Sequence, residues 1–349
     1  MLLGTLKRET PCGGSRLRKW QIAGAILSGA VLLAGSAGAS SRPVRIGVIV
    51  KGLDNPFFVA MYEGARAEVS HRHVSATFRA ATNLNDTAGQ SRRARALVRQ
   101  GRNDCYILNP ITPTNLIPAF RGVTRPVVNL DSPIDPTAAQ RAGIHLKAFI
   151  GTDDHAVGEL AAKEMKSRLA NRGEVALVAG YADSVNSQRR LSGFTRGVAG
   201  THIRIVARVV ANYDRSEAQR AAQRILRQHP NVTGFFAAND VMALGIADAT
   251  QAEGKGGAVK IIGVDAIPPA LDAVRAGTLT GTVAQYPYVM GRMGVEACIA
   301  ATRGQALPSK VKTPIALVTK KTVAQVSAAF PLPPRRYSDP FATLIRNGG

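Results

Sequence analysis

Residues 232–266, VTGFFAANDVMALGIADATQAEGKGGAVKIIGVDA, restrict the fold more than any other stretch of the chain. Residues 232–237 are a short apolar run with two aromatics, the pattern of a buried strand. Asn239 and Asp240 follow at once, and Asp240 is of a type that caps a helix. Met242, Leu244, Ile246 and Ala249 then keep one side of the predicted helix apolar. Gly254, Gly256 and Gly257 end it, residues 259–264 form a second apolar strand, and Asp265 stands just past that strand. Strand, helix and strand in succession require a parallel pair joined by a right-handed crossover. Open α/β sheets bind ligands in the crevice beyond the carboxyl ends of their strands. The unit thus offers Asn239 and Asp265 to one crevice. Each also has a plainer role, Asn239 as a turn residue and Asp265 as the cap of the next helix.

The same alternation runs along the chain. Apolar strands are predicted at 44–50, 75–81, 104–108, 126–130 and 149–151, with helices at 57–70 and 86–100 and another opening at Asp153. A second series holds strands at 174–179, 203–210, 232–237, 259–264, 281–284 and 316–319, with helices at 185–198, 216–228 and 288–302. Two series of βα units imply an α/β protein with two similar doubly wound parallel-sheet lobes, each covered by helices. Short connections leave no room for a hidden insertion. Residues 331–349, rich in Pro and Arg, are expected to form a disordered tail.

Residues 1–39 stand apart. Lys7, Arg8, Arg16, Arg18 and Lys19 are a basic start, 22–33 an apolar run too short to span a membrane, and Ala37-Gly38-Ala39 a small-residue cleavage site. This is the pattern of a cleavable signal peptide, and it implies a periplasmic product. The 349-residue chain carries a net charge of +22, most of it outside that segment. Arg92, Arg93, Arg95, Arg99 and Arg102, and again Arg215, Arg220, Arg224 and Arg227, fall on predicted helices as solvated faces. No zinc-finger, RNA-recognition or basic-zipper signature accompanies them, so nucleic acid is not an expected partner. Cys12 lies in the leader. Cys105 and Cys298 lack a metal-spaced partner and are read as two buried free thiols, with a bridge between them left open.

The residues just past the apolar strands share a chemistry. Lys51, Asn55, Phe57 and Phe58 follow the first strand, Asn109 the third and Asp131 the fourth. In the second series come Arg190, Tyr213, Asn239, Asp265 and Gln285. Asp, Asn, Gln and Arg present paired donors or acceptors to groups on adjacent carbons. The aromatics add flat apolar faces. Fixed polar groups between aromatic walls suit a small polar ligand, and a sugar ring has that character. Asp131 and Asp265 balance Arg190 and Lys51, so a neutral ligand is preferred.

Seven motifs carry a family resemblance over residues 44–319. They are Asp54-Asn55-Pro56-Phe57-Phe58, Leu108-Asn109-Pro110, Asn129-Leu130-Asp131, Arg190-x-x-Gly193-Phe194, Ala238-Asn239-Asp240-x-Met242-Ala243-Leu244-Gly245, Gly263-Val264-Asp265 and Ala284-Gln285-x-Pro287. In this order they resemble the periplasmic sugar-binding proteins of the ribose-binding type, receptors of ABC importers. The resemblance implies a type I periplasmic binding fold, two lobes joined by a three-crossover hinge near 152–153, 285–286 and 313–314. The lobes would be 40–152 with 286–313, and 153–285 with 314–330. It also implies that Asn55, Phe57, Phe58, Asn109, Asp131, Arg190, Tyr213, Asn239, Asp265 and Gln285 contact a ligand. Two departures put ribose itself in doubt. Ser132 stands where ribose-binding relatives carry Arg, and Lys51 where they carry a small polar residue. Lys51 either enters the site from the opposite wall or points to solvent.

The function implied is capture of a neutral sugar or polyol between the lobes and delivery to an ABC importer permease, by a monomer with no cofactor and no metal. A receptor or sensor partner for chemotaxis or signalling fits the same residues. A transcriptional repressor with this core would need a helix-turn-helix where residues 21–39 are rich in Ala, Gly and Leu. No Ser/His/Asp order, His-Glu-x-x-His or Walker loop suggests an enzyme.

Overall fold

The computed structural model describes residues 42–347, so the predicted leader, residues 1–39, lies outside the described residues. Strands and helices alternate from the start: β1 (Arg45–Val50), α1 (Pro56–His71), β2 (Ser75–Ala80), α2 (Thr87–Arg99), β3 (Cys105–Leu108), α3 (Ile117–Phe120), β4 (Val127–Leu130), α4 (Pro136–Arg141) and β5 (Leu146–Gly151). The second series is α5 (Asp154–Arg168), β6 (Arg172–Ala179), α6 (Val185–Val198), β7 (His202–Val210), α7 (Arg215–Gln228), β8 (Val232–Ala237), α8 (Asp240–Ala252), β9 (Lys260–Asp265), α9 (Pro268–Ala276) and β10 (Gly281–Ala284). The chain closes with α10 (Pro287–Thr302), β11 (Lys310–Lys312), β12 (Ala316–Thr319), α11 (Val323–Ala329) and α12 (Pro340–Asn347).

Two six-stranded sheets result, ordered β2-β1-β3-β4-β5-β11 and β7-β6-β8-β9-β10-β12. Every pairing is parallel except β10 with β12. Central strands β3, β4 and β10 are buried along their whole length. Parallel sheets covered by helices on both faces read as continuous apolar runs for that reason. The chain passes between the sheets after β5, after β10 and between β11 and β12. All three passages leave from one edge of each sheet. β2 and β7 lie at the far edges.

Small residues set the helix packing. A Cβ at Gly64 would collide with the Tyr288 carbonyl, and one at Gly291 with that of Met61, so α1 and α10 meet backbone to backbone. In the second lobe Gly158 and Gly193 do the same for α5 and α6, against the carbonyls of Arg190 and His155. That close approach brings Asp154 beside Arg190.

Two expectations are corrected. The tail is not wholly disordered, because α12 packs on α10 with Phe341 fully buried and Ile345 nearly so. Phe341, Leu344 and Ile345 recur at the i, i+3, i+4 spacing of one helix face, a short signal hidden by neighbouring Pro and Arg. Nor are the thiols free. Cys105 on β3 and Cys298 on α10 form a disulfide with Cα atoms 5.7 Å apart. The packing of α10 across β3 brings together two residues 193 apart in sequence. Among the described residues, no helix is long and apolar enough to cross a membrane.

Candidate ligand-binding site

The connections from strand to helix are short, so the residue that caps each helix also stands beyond the carboxyl end of the preceding strand. Asn55 caps α1 by accepting the Phe57 amide at 2.9 Å, and Asn239 caps α8 by accepting that of Met242 at 3.0 Å. Asn239 is therefore both a cap and a cleft residue, and Asp240 is not the cap. Asp240 is instead buried under the floor, accepting from Thr282 Oγ1 at 2.7 Å and from the Ile267 amide at 3.1 Å. Ile267 stands at the N-cap position of α9 with no side-chain bond to the helix, so Asp265 does not cap it.

Lys51, Asn55, Phe57, Phe58 and Asp131 from the first lobe, and Arg190, Tyr213, Asn239 and Asp265 from the second, line one cleft. Two expected contacts stand behind the wall. Asn109 donates to Asp131 Oδ2 at 3.1 Å and to the Leu130 carbonyl at 3.2 Å, holding that carboxylate in place. Gln285 donates to Asp265 Oδ1 at 2.7 Å, and its buried Oε1 has no hydrogen-bond partner.

The structure places the Lys51 amine in the cleft. It donates to Ser132 Oγ at 2.5 Å, lies 3.7 Å from Asp131 Oδ2 and sits 5.0 Å from the Phe58 ring centre. Its strand belongs to the same lobe as Ser132, so the amine does not come from the opposite wall. The opposing cation is Arg190, 4% exposed, which donates through Nε to Asp154 Oδ1 at 2.7 Å and through Nη1 to the Ala238 carbonyl at 2.7 Å. Asp265 Oδ1 lies 3.8 Å from Nη1.

Burial, with nearby carboxylates, pushes Asp265 up to about 7 against the pull of Arg190 and Gln285. Burial also pushes Asp154 up to about 6 despite its pair with Arg190. Desolvation pulls the Lys51 amine down, opposed by Asp131. For Arg190, burial works to lower the value, and Asp154 and Asp265 outweigh it. Two cations facing three carboxylates, two of them raised toward neutrality, leave the site near zero charge.

Backbone strain gathers here as well. Asp131 (φ 57°), Tyr213 (φ 58°) and Asp265 (φ 117°) all hold positive φ. Such positions cost on the order of 1–3 kcal/mol each and cluster where side chains are aimed at a ligand.

Sequence reasoning missed part of the wall. Tyr181 lies two residues past β6, where the strand-end rule would have found it. Asn186 lies one helical turn before Arg190 on α6. Its Nδ2 donates across the cleft to the Asp131 carbonyl at 3.2 Å. Leu84 and Ile111 are apolar wall residues with no sequence signal of their own.

Two parallel-sheet lobes joined by three passages, with a polar and aromatic cleft between their strand ends, define a two-lobed solute receptor. The family model described as "Periplasmic binding protein domain" matches residues 46–306, and the chain belongs to that family. It is 33% identical over 284 residues to the D-allose-binding periplasmic protein of Escherichia coli (strain K12), covering 80% of this chain and 91% of that protein. It is 28% identical to the ribose import binding protein RbsB of Bacillus subtilis (strain 168), covering 82% and 90%. An ABC transporter periplasmic solute binding protein from Actinobacillus succinogenes 130z, solved with bound D-allose, superposes with a TM-score of 0.76 at 28% identity, covering 80% of this chain and 99% of that one. A solute binding protein from Bacillus halodurans C-125 with bound myo-inositol gives 0.75 at 25% identity, covering 83% and 99%.

Proposed function

We propose that this protein captures a neutral sugar or polyol between its two lobes and delivers it, as a monomer, to the permease of an ABC importer. One observation carries the reading: paired polar groups from both lobes converge with Phe57, Phe58 and Tyr213 on a single near-neutral cleft. Asp131 and Asp265 would accept from hydroxyls on adjacent carbons, Arg190 and Lys51 would donate to hydroxyl or ring oxygens, and the rings would cover the C–H faces. Relatives named for allose and ribose, and one solved with inositol, support this class of ligand. The relatives carry binding names.

The periplasm is the proposed compartment, with residues 1–39 removed on export. The disulfide supports it, since such bonds persist in oxidising compartments.

A thermal-shift panel of neutral sugars and polyols on the exported protein tests the proposal. At least one should raise the melting midpoint in a saturable way. A panel with no response, alongside a response to amino acids or organic anions, would overturn it.

A further inference from the structure

The edge of each sheet farthest from the three passages carries β2 in one lobe and β7, beside β6, in the other. Residues that follow these strands lie on the side of the cleft away from the three passages. Asn85 lies beyond β2, and Tyr181 lies beyond β6. The Tyr181 hydroxyl donates to Asn85 Oδ1, a direct bond between the lobes. Exposure agrees with this placement. Asp131, Arg190, Asn239 and Asp265 are buried at the deep end, whereas Asn85 is exposed and Tyr181 half-buried.

Tyr181 is also well supported. Its ring meets that of Tyr213 edge to face at 5.4 Å. Tyr213 is in turn held by Ser184, with 2.7 Å between the hydroxyls. Leu84, next to Asn85, lines the cavity beside Tyr181. The mouth is thus closed by a braced aromatic ring on one lobe and a short loop on the other.

We infer that Tyr181 is a specificity-determining residue: docked on Asn85, it shuts the mouth over a single-ring ligand and excludes ligands that extend past it. This rests on the proposed sugar-binding function. The bond lies on the side of the cleft away from the three passages, so opening breaks it and its energy acts on ligand release. Burial holds the Tyr181 hydroxyl up to about 12, so it remains a donor over any physiological range.

D-Allose and a disaccharide built on it, titrated into wild type, Tyr181→Phe and Tyr181→Ala, test the inference by calorimetry and stopped flow. Tyr181→Phe should weaken D-allose about 3- to 10-fold, the worth of one net hydrogen bond, almost wholly through faster release. Tyr181→Ala should weaken D-allose further and narrow its advantage over the disaccharide by about tenfold or more. Wild type binding the disaccharide as tightly as D-allose, or both variants keeping wild-type release rate and preference, would overturn the gate. Ligand-free Tyr181→Ala should also scatter X-rays as a more open molecule than ligand-free wild type, and identical profiles would overturn the latch. If no neutral sugar binds wild type, the sugar-binding reading alone fails, and the scattering comparison still judges the latch.

Discussion

Arg190 belongs to the cleft and to the fold in one side chain. Its guanidinium is almost fully buried, paired with Asp154 and bonded to the Ala238 carbonyl, so it is part of the second lobe's structure as well as the wall of the cleft. Arg190→Ala should therefore cost about 3–5 kcal/mol of stability, because it strands the Asp154 charge. Adding Asp154→Asn should return part of that loss, a recovery readable in denaturant titrations. Equal stability of the single and double variants would contradict the pairing. Asn239 differs. Its Oδ1 is committed to capping α8, so Asn239→Ala loses a cap worth about 1 kcal/mol as well as the proposed donor to ligand. Asn239→Asp keeps the cap and adds a charge, and it should retain stability while losing affinity. The strand-end rule located most of these residues because short connections leave little choice of where a cap residue stands. It could not tell a wall residue from its support. Asn109 and Gln285, which the resemblance marks as ligand contacts, stand behind the wall and bond to Asp131 and Asp265. Direction of a side chain is a property of the packed lobe, which is also why the sequence leaves Lys51 open while the fold sets its amine on Ser132.

Among the elements, α10 does more than cover a sheet. It packs on α1, β3, β4 and β5, carries one half of the disulfide and receives α12. Replacing Cys105 and Cys298 by Ala should cost about 2–5 kcal/mol, mainly through the larger freedom of the unfolded chain. Ligand affinity should not change, since the bond lies inside the first lobe. A fall in affinity without loss of stability would contradict that placement. The same helix holds a titratable knot. Glu296 is fully buried, accepts from Arg72 at 2.9 Å and leaves Oε2 unpaired, and Glu68 is bonded to Arg72 at 2.6 Å and Arg292 at 3.0 Å. Tyr337, from the segment leading into α12, meets Arg292 at 3.3 Å. Burial, then the neighbouring Asp339, pushes Glu296 up to about 8. An unfolded glutamate releases its proton near 4.5, so the native state holds an extra proton between those values, and its stabilisation is lost as pH rises through about 8. Glu68, pulled down to about 2 through its arginine bonds against the cost of burial, acts only below that window. The melting midpoint should fall between about pH 4.5 and 8 in wild type and stay flatter in Glu296→Gln. Parallel curves would show that the knot does not titrate. The βα alternation was legible because it repeats, with its period marked by caps and glycines. The C-terminal helix was not, because three large apolar residues in eight are a weak pattern until α10 offers a surface for them.

At the scale of the whole molecule, the ligand's work is to join two lobes that the hinge would let part. Asn55 and Asp131 lie on one side, Arg190, Tyr213 and Asn239 on the other, and Asp265 with Gln285 near the hinge. A ligand that touches both walls binds the closed form more tightly than the open one and shifts the balance by that difference. X-ray scattering should therefore show a smaller radius of gyration with ligand than without. The most direct test of the account is calorimetric titration of the ligand-free protein with D-allose, D-ribose and myo-inositol, repeated on Asp265→Ala. One-to-one binding of at least one of them is expected, weakened about 5- to 150-fold by loss of a buried partner worth about 1–3 kcal/mol. No heat from any neutral ligand, or equal affinity in the variant, would contradict it.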